Sequence, residues 1–425
     1  MIPKFANTLL FLAVLFLPWQ TQWIITTLSV SGEPSQFGVF GLYVVEVMIA
    51  CAFLLRGRQR MDERVQPIAR AVYLFLSIAF FSLTFSAVSI PGWSHLIHLV
   101  SAVMFFFVLV DERTDIRRIL SVFLFGLLVP ILFGWAQVVH GISPALTTLG
   151  MAAKDVMTPG VAVVETVTGR MLRAYGTFPH PNIFGGYMAF GILALAWLAR
   201  FAQRPVERIG LILASSVLGA TLIITFSRSA WLGIFIAFLL LIGLMLSQKK
   251  LPPHRAIPVM IVGLASILLT LVLFHAQVFS RFNPSVRIEA ISIEERASQY
   301  QTFGEVFWTS PLLGVGPNGY TFTLASSDPD HPVWSYQPIH NTFLLILAEL
   351  GVVGFVMLFY WMSQMDKLID VSRKTPNGLF VVSAGVLFLV IGLFDHYLWS
   401  LWPGLALSAL AFGVMVRWGS ENKSA

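Results

Sequence analysis

The sequence predicts an all-α polytopic membrane protein, a bundle of about 12 transmembrane helices with two larger periplasmic or extracellular loops. Three observations carry that reading. Of the 425 residues, 57% are hydrophobic and 11% charged, with a mean hydropathy of +0.80, which leaves too little polar surface to cover a soluble globule. Apolar runs of roughly 20 residues, enough helix to cross about 30 Å of hydrocarbon, recur along the chain. The alternation of barrel strands is missing, and an open sheet cannot satisfy its backbone in lipid.

The runs fall at 7–29, 36–55, 69–89, 93–110, 119–139, 183–199, 209–226, 229–246, 257–279, 341–360, 378–394 and 397–416. The first follows Lys4 and imitates a secretion signal. Leu17-Pro18-Trp19-Gln20 offers no small-residue cleavage site, however, and the segment runs on, so it is read as a span. Cys51 is the only cysteine and falls inside a helix, so neither a disulfide framework nor a thiol metal site is expected. The runs divide the chain into N-terminal helices (1–139), a first outer loop (140–182), central helices (183–279), a large outer loop (280–340) and C-terminal helices (341–425).

Charge sets the expected orientation. With a cytoplasmic N-terminus, Arg56, Arg58, Arg60, Arg64 and Arg70, then Arg113, Arg117 and Arg118, then Arg200, Arg204 and Arg208 all face inward. Lys4, Lys249, Lys250, Arg255, Lys367, Arg373, Lys374, Arg417 and Lys423 join them, so both termini are cytoplasmic. About 20 of the 27 Lys and Arg residues then face in and about 7 face out, as the positive-inside rule requires. The net charge of +6 is mostly accounted for by topology. With basic residues in short loops, no continuous basic groove and no recognition module, nucleic acid is not the expected partner.

The outward cations are not scattered. The short outer turns near 30–36, 90–92 and 395–396 contain none. Lys154, Arg170 and Arg173 lie in the first outer loop, Arg281, Arg287 and Arg296 in the second, and Arg228 at a turn between spans. That concentration reads as an anion site.

Taken in chain order, Arg170 and Arg173 lead into Tyr175-Gly176-Thr177-Phe178-Pro179-His180-Pro181-Asn182. Its turn residues suit shaping the entry into the next span, a structural role for His180 and Asn182. Ser227-Arg228-Ser229 interrupts an apolar stretch from 209 to 246 that would be roughly 57 Å long as one helix, so the chain turns there. Arg228 is then either a helix-end cation reaching for the interface or a contact for lipid-linked phosphate. Arg296 follows Glu294-Glu295 and opens an expected amphipathic helix with Tyr300, Phe303, Val306 and Phe307. It pairs either with a nearby acid or with a ligand. Leu312-Leu313-Gly314-Val315-Gly316-Pro317-Asn318-Gly319-Tyr320 does not match a Walker loop and lacks a following Lys-Ser or Lys-Thr, so its glycines are read as allowing close backbone packing.

The polar stretch closes on Pro338-Ile339-His340-Asn341, directly before an apolar helix on which Asn341 is a natural N-cap. His340 thus stands at a membrane surface beside several arginines. A neutral imidazole takes a proton near pH 7 and a guanidinium forks onto phosphate oxygens, a combination suited to chemistry on a lipid-linked phosphate. Glu349, about two turns inside the helix, must pair or stay protonated. Asp395-His396 occupies another outer turn, with Tyr397, Trp399 and Trp402 as an interfacial belt.

In this order, Gly176 through Asn182, Phe226-Ser227-Arg228-Ser229-Ala230, Pro311-Leu312-Leu313-Gly314-Val315-Gly316, and His340-Asn341-Thr342-Phe343-Leu344 through Glu349-Leu350-Gly351 resemble the O-antigen ligase and polymerase family of bacterial envelope enzymes. The resemblance covers roughly 175–355; the remainder agrees in span count. It implies a GT-C-like helical bundle in the bacterial inner membrane. The implied reaction, on the outer face, moves a glycan from undecaprenyl pyrophosphate to an acceptor hydroxyl, on lipid A core or a similar glycan, without metal or other cofactor. Carried onto this chain, it makes His340 the general base and Arg228 and Arg296 the pyrophosphate clamp. Asp395 falls where some ligases have an essential Asp, and Arg170, Arg173 and Asn341 complete the expected substrate contacts.

A single displacement at C1 inverts the anomeric centre, whereas retention needs a nucleophilic carboxylate there, and only Glu349 and Asp395 could be named for that part. Ligase and polymerase share these motifs and differ in acceptor; one outer loop of this size before the His resembles the ligase pattern. The non-enzyme alternative is transport of a lipid-linked glycan, marked by ionisable residues at mid-membrane depth. Glu46, His98 and His275 are the residues that stand there.

Overall fold

A computed structural model describes residues 2–86, 89–167, 169–249, 254–372 and 375–420. Lys250, Arg373, Lys374 and Lys423, which the sequence assigns to the inner face, lie outside the described residues, as do Ala87 and Val88 of the expected third span. About 70% of the chain is helical, and the strands form three separate two-stranded sheets.

The chain opens with α1 (Ile2–Leu15), then a hairpin of β1 (Gln22–Val30) and β2 (Glu33–Tyr43), and α2 (Val44–Arg56). Helices α3 (Gln66–Thr84) and α4 (Ser89–Val110) follow, and α5 (Ile116–Gly126) and α6 (Leu128–His140) run on as one span. A loop holds β3 (Ile142–Ser143), β4 (Lys154–Asp155), β5 (Val163–Thr166) and β6 (Gly169–Leu172). Then come α7 (Pro181–Leu198), α8 (Pro205–Ile224), α9 (Arg228–Ser247), α10 (Ala256–Leu273) and the short α11 (His275–Ser280). The second loop carries α12 (Arg287–Thr309) and α13 (Tyr320–Ser327). The chain finishes with α14 (Thr342–Ser372), α15 (Pro376–Phe394), the one-turn α16 (Tyr397–Ser400) and α17 (Trp402–Ser420).

Among the described residues, nine helices are long and apolar enough to cross a membrane, and they coincide with the expected spans from 69–89 through 378–394. The first two expected spans are different. Residues 22–43 form an antiparallel hairpin in place of helix. Trp23-Ile24-Ile25-Thr26-Thr27 is β-branched and aromatic, and Ser31 and Gly32 both take positive φ, 52° and 80°. Such a two-residue turn matches the twist of paired strands. Hydropathy alone counts these residues as apolar without reading their period. The expected 397–416 span is also broken, because Leu401 is extended (φ −132°, ψ 141°) between α16 and α17.

Helix α7 is buried along nearly its whole length, and α5, α8, α9, α15 and α17 pack round it. Helix α10, apolar on every side, turns most of its surface outward, as expected for a lipid-facing helix. Helix α14 breaks at Gly351 (φ 66°, ψ −173°). The glycine-rich loop is fastened to that break: Val315 N–H donates to the Ala348 carbonyl at 3.0 Å, and Val352 N–H donates to the Pro311 carbonyl at 2.9 Å. A Cβ on Gly351 or Gly314 would fall 2.2 Å from Leu312 or Glu349 backbone atoms, so close packing is what those glycines permit. Glu349 is neither ion-paired nor left alone. Its carboxylate accepts from Asn318 N–H (2.8 Å), Tyr320 N–H (3.4 Å) and Trp399 Nε1–H (2.7 Å), tying loop to bundle.

Candidate active site

The N-termini of α7, α9, α14 and α16 meet at one end of the bundle with the two long loops. Asn341 caps α14 as its sequence position suggests: its Oδ1 accepts from Phe343 N–H (3.0 Å) and Leu344 N–H (3.1 Å), while its Nδ2 donates to the Leu393 carbonyl. That leaves Asn341 a positioning group, setting His340 immediately ahead of the helix.

His340 is partly exposed, and its Nδ1 lies 2.9 Å from Gln299 Oε1, which also accepts the His340 backbone N–H at 3.1 Å. A backbone N–H only donates, so the Gln299 atom facing it is the amide oxygen. Nδ1 therefore carries the proton, and Nε2 presents a lone pair. The His340 ring stands edge-on to His396 at 5.1 Å, and His396 in turn faces Phe37 of β2 at 6.2 Å. Burial, then His396 and Arg296, outweigh Asp395 and lower His340 to about 3. Burial, then Arg296, lowers His396 to about 4. Both rings are neutral at pH 7.

A hydrogen-bonded relay runs beside them. Arg173 Nη2 donates to Asn182 Oδ1 at 2.6 Å, and Asn182 Nδ2 donates to Asp395 Oδ2 at 2.6 Å. Arg173 Nε also donates to the Thr225 carbonyl, and Thr342 Oγ1 donates to the Asp395 carbonyl. All of these side chains are buried. Gly176 (φ +60°) and Gln137, whose side chain makes three hydrogen bonds to the Tyr175 and Gly176 backbone, fix the turn that delivers Asn182. His180 Nδ1 accepts the Asn182 N–H, and burial followed by Arg173, His340 and His396 holds its proton affinity well below the ordinary range.

The arginines gather on the other flank. Ser227 caps α9, which starts at Arg228. Arg228 Nη1 is 2.9 Å from Glu289 Oε2 and donates to the Arg281 carbonyl at 2.8 Å. Arg281 pairs with the other oxygen of Glu289; burial lowers it to about 10 even so. Burial and the neighbouring Arg281 also hold Arg173 well below the usual guanidinium range. Arg296 sits mid-helix, because α12 starts at Arg287 and not at Arg296; Ile288 and Ile291 extend the apolar period backward. Its charge acts on His340, His396 and Arg281. It makes no salt bridge among the described residues.

Arg170 stands apart. It pairs with Glu165 across the β5–β6 hairpin (3.4 Å), shared with Arg287, and donates to the Val156 carbonyl. No hydrogen bond joins it to the His340 or Asp395 groups. Two of the mid-span ionisable residues pair with each other, His98 Nδ1 and Glu46 Oε1 at 2.8 Å, and His275 Nδ1 contacts the Val272 carbonyl. Sequence reading missed Gln299, Glu289 and Phe37, and took His180 as a turn residue only. Spacing puts the first two on one helix face with Arg296, but their partners, His340, Arg228 and Arg281, come from other elements.

Residues 209–359 match a family model described as O-antigen ligase. A search of curated proteins finds no match to the chain.

Proposed function

We propose, from the match of residues 209–359 to the O-antigen ligase family model, that the protein transfers a glycan from an isoprenoid diphosphate to an acceptor hydroxyl, with inversion and without a metal. The observation that carries this reading is a neutral imidazole, with its tautomer fixed and its lone pair open, beside four arginines at one end of a membrane bundle. That end faces the periplasm and both termini are cytoplasmic, in the orientation favoured by the positive-inside count.

In the proposed step the acceptor O–H gives its proton to His340 Nε2 as the oxygen bonds to sugar C1. The C1–O bond to the diphosphate breaks on the opposite side and its electron pair leaves with the phosphate. A diphosphate is acidic enough to depart without a general acid, but its growing charge needs fixed cations. Arg228, Arg281 and Arg296 supply them without reorganising. A positioned base contributes about 10²–10⁴-fold. Burial chiefly depresses the imidazole, with His396 and, least, Arg296 adding to it; a diphosphate that neutralises Arg296 removes that last part and strengthens the base when the base is needed. Asp395, held by Asn182 and Thr342, orients the His396 backbone and biases His340 toward accepting a proton. Arg173 steadies that relay, with Asn341 fixing the helix start and Arg170 a more distant contact for the acceptor glycan.

Purified protein in proteoliposomes, given an undecaprenyl-diphosphate glycan and either lipid A core or a second lipid-linked repeat, tests this. Transfer with inverted configuration is expected, with lipid A core as the acceptor. Retention, or no transfer to either acceptor, contradicts it.

A further inference from the structure

Glu289 is the one carboxylate in contact with the arginine cluster among the described residues. Each of its oxygens meets a different guanidinium, Arg281 and Arg228, and the side chain is 3% exposed. No backbone N–H or hydroxyl holds it. The buried Arg281 Nε, meanwhile, has no hydrogen-bond partner. Arg173 and Arg296 lie within the same field; Arg173 reaches the Asp395 carboxylate only through Asn182, and Arg296 has the solvent-exposed Glu295 beside it. Four cations therefore share one buried carboxylate, in direct contact with two of them. Burying that much like charge is unfavourable unless a further anion is meant to arrive.

Resting on the diphosphate reading above, we infer that Glu289 takes the donor's diphosphate position on Arg228 and Arg281 until the donor displaces it, and so selects for multiply charged phosphates. The site lies at a membrane surface, where singly charged phosphodiester headgroups are abundant. A ligand with one negative charge gains little by exchanging for a carboxylate of equal charge already in place. The donor's diphosphate, with two charges and four non-bridging oxygens able to engage Arg228, Arg281 and Arg296 together, gains much more. The exchange frees Arg281 and Arg228, both held by Glu289, to act with Arg296 on the diphosphate. Glu289, Arg296 and Gln299 lie on one face of α12, seven and three residues apart. Exchange of Glu289 for diphosphate loosens the first turns of the helix whose later turn holds His340.

The test measures binding of farnesyl diphosphate, a short soluble isoprenoid diphosphate, to the full chain in nanodiscs of phosphatidylcholine alone or with phosphatidylglycerol. Wild type should bind about equally in both lipids. Glu289→Gln should bind about 10-fold tighter in phosphatidylcholine, about 1.4 kcal/mol, and lose most of that gain in phosphatidylglycerol. Unchanged or weaker binding by the variant in phosphatidylcholine, or a gain that phosphatidylglycerol leaves intact, overturns the inference. Hydrogen exchange on wild type covers a variant that fails to fold: farnesyl diphosphate should speed exchange of the amides of 290–295, and unchanged or slower exchange overturns it. If neither protein binds the diphosphate at all, the donor reading falls with it; binding indifferent to residue 289 removes this inference alone.

Discussion

One oxygen of Gln299 accepts two groups of His340 at once, the backbone N–H at 3.1 Å and the Nδ1 proton at 2.9 Å. The bond fixes both the direction of the ring and the nitrogen that stays free, which is what a positioned base requires. Gln299→Leu should lower transfer about 10- to 100-fold with donor affinity nearly unchanged. Gln299→Glu places a carboxylate against the ring, so the acid limb of kcat/KM should move toward neutral pH. A loss confined to KM, with no shift of the pH profile, would count against a positioning role.

Arg228 and Arg296 carry a different expectation, since their fork geometry matters as well as their charge. Alanine at either position should weaken isoprenoid diphosphate binding about 10- to 100-fold, and lysine should restore only part of it. Titration in nanodiscs reads the result directly. Full recovery with lysine would reduce the guanidinium to a charge anchor.

Asn182 joins Arg173 to Asp395 through two 2.6 Å bonds. Asn182→Leu leaves a buried guanidinium and a buried carboxylate each short of a partner, and should destabilise the protein by about 1–3 kcal/mol. Thermal melting in detergent checks this; a melting temperature equal to wild type would show that water or rearrangement replaces the amide.

Stability should fall on acidification. The unfolded imidazoles of His180, His340 and His396 bind protons as pH drops through 6.5, but the folded ones resist, His340 down to about 3 and His396 to about 4. Between those values the unfolded state binds more protons, so folding stability rises with pH and is lost as pH falls. The melting temperature should be lower at pH 5 than at pH 7.5, and His180→Gln should flatten the difference. A flat wild-type profile would mean that the rings are protonated in the folded state.

Most spans of the bundle were legible because length and apolarity are additive along the chain, and among the described residues nine helices fall where those runs do. Asn341 as a cap and the close-packed glycines were legible because their local physics needs no partner. The β1–β2 hairpin was not, since Trp23 through Thr27 score as lipid-soluble whether helical or extended, and the deciding signal was the Ser31-Gly32 turn. Arg296 was legible as one outward cation among a few. Glu289 and Gln299 were not, because their meaning comes from Arg228, Arg281 and His340, which reach them only once α12 folds across the bundle end. Glu349 illustrates the same point: the sequence posed a choice between pairing with a cation and protonation, and the three N–H donors that meet its carboxyl come from a distant loop and α16.

The central claim is that His340 accepts the acceptor's proton while the arginines hold the leaving diphosphate. Single-turnover transfer from a preloaded lipid-linked donor, by wild type and His340→Ala in the same proteoliposomes, tests it most directly. The account predicts a rate lower by about 10²-fold or more, with farnesyl diphosphate affinity within about threefold of wild type. A rate near that of wild type would contradict it.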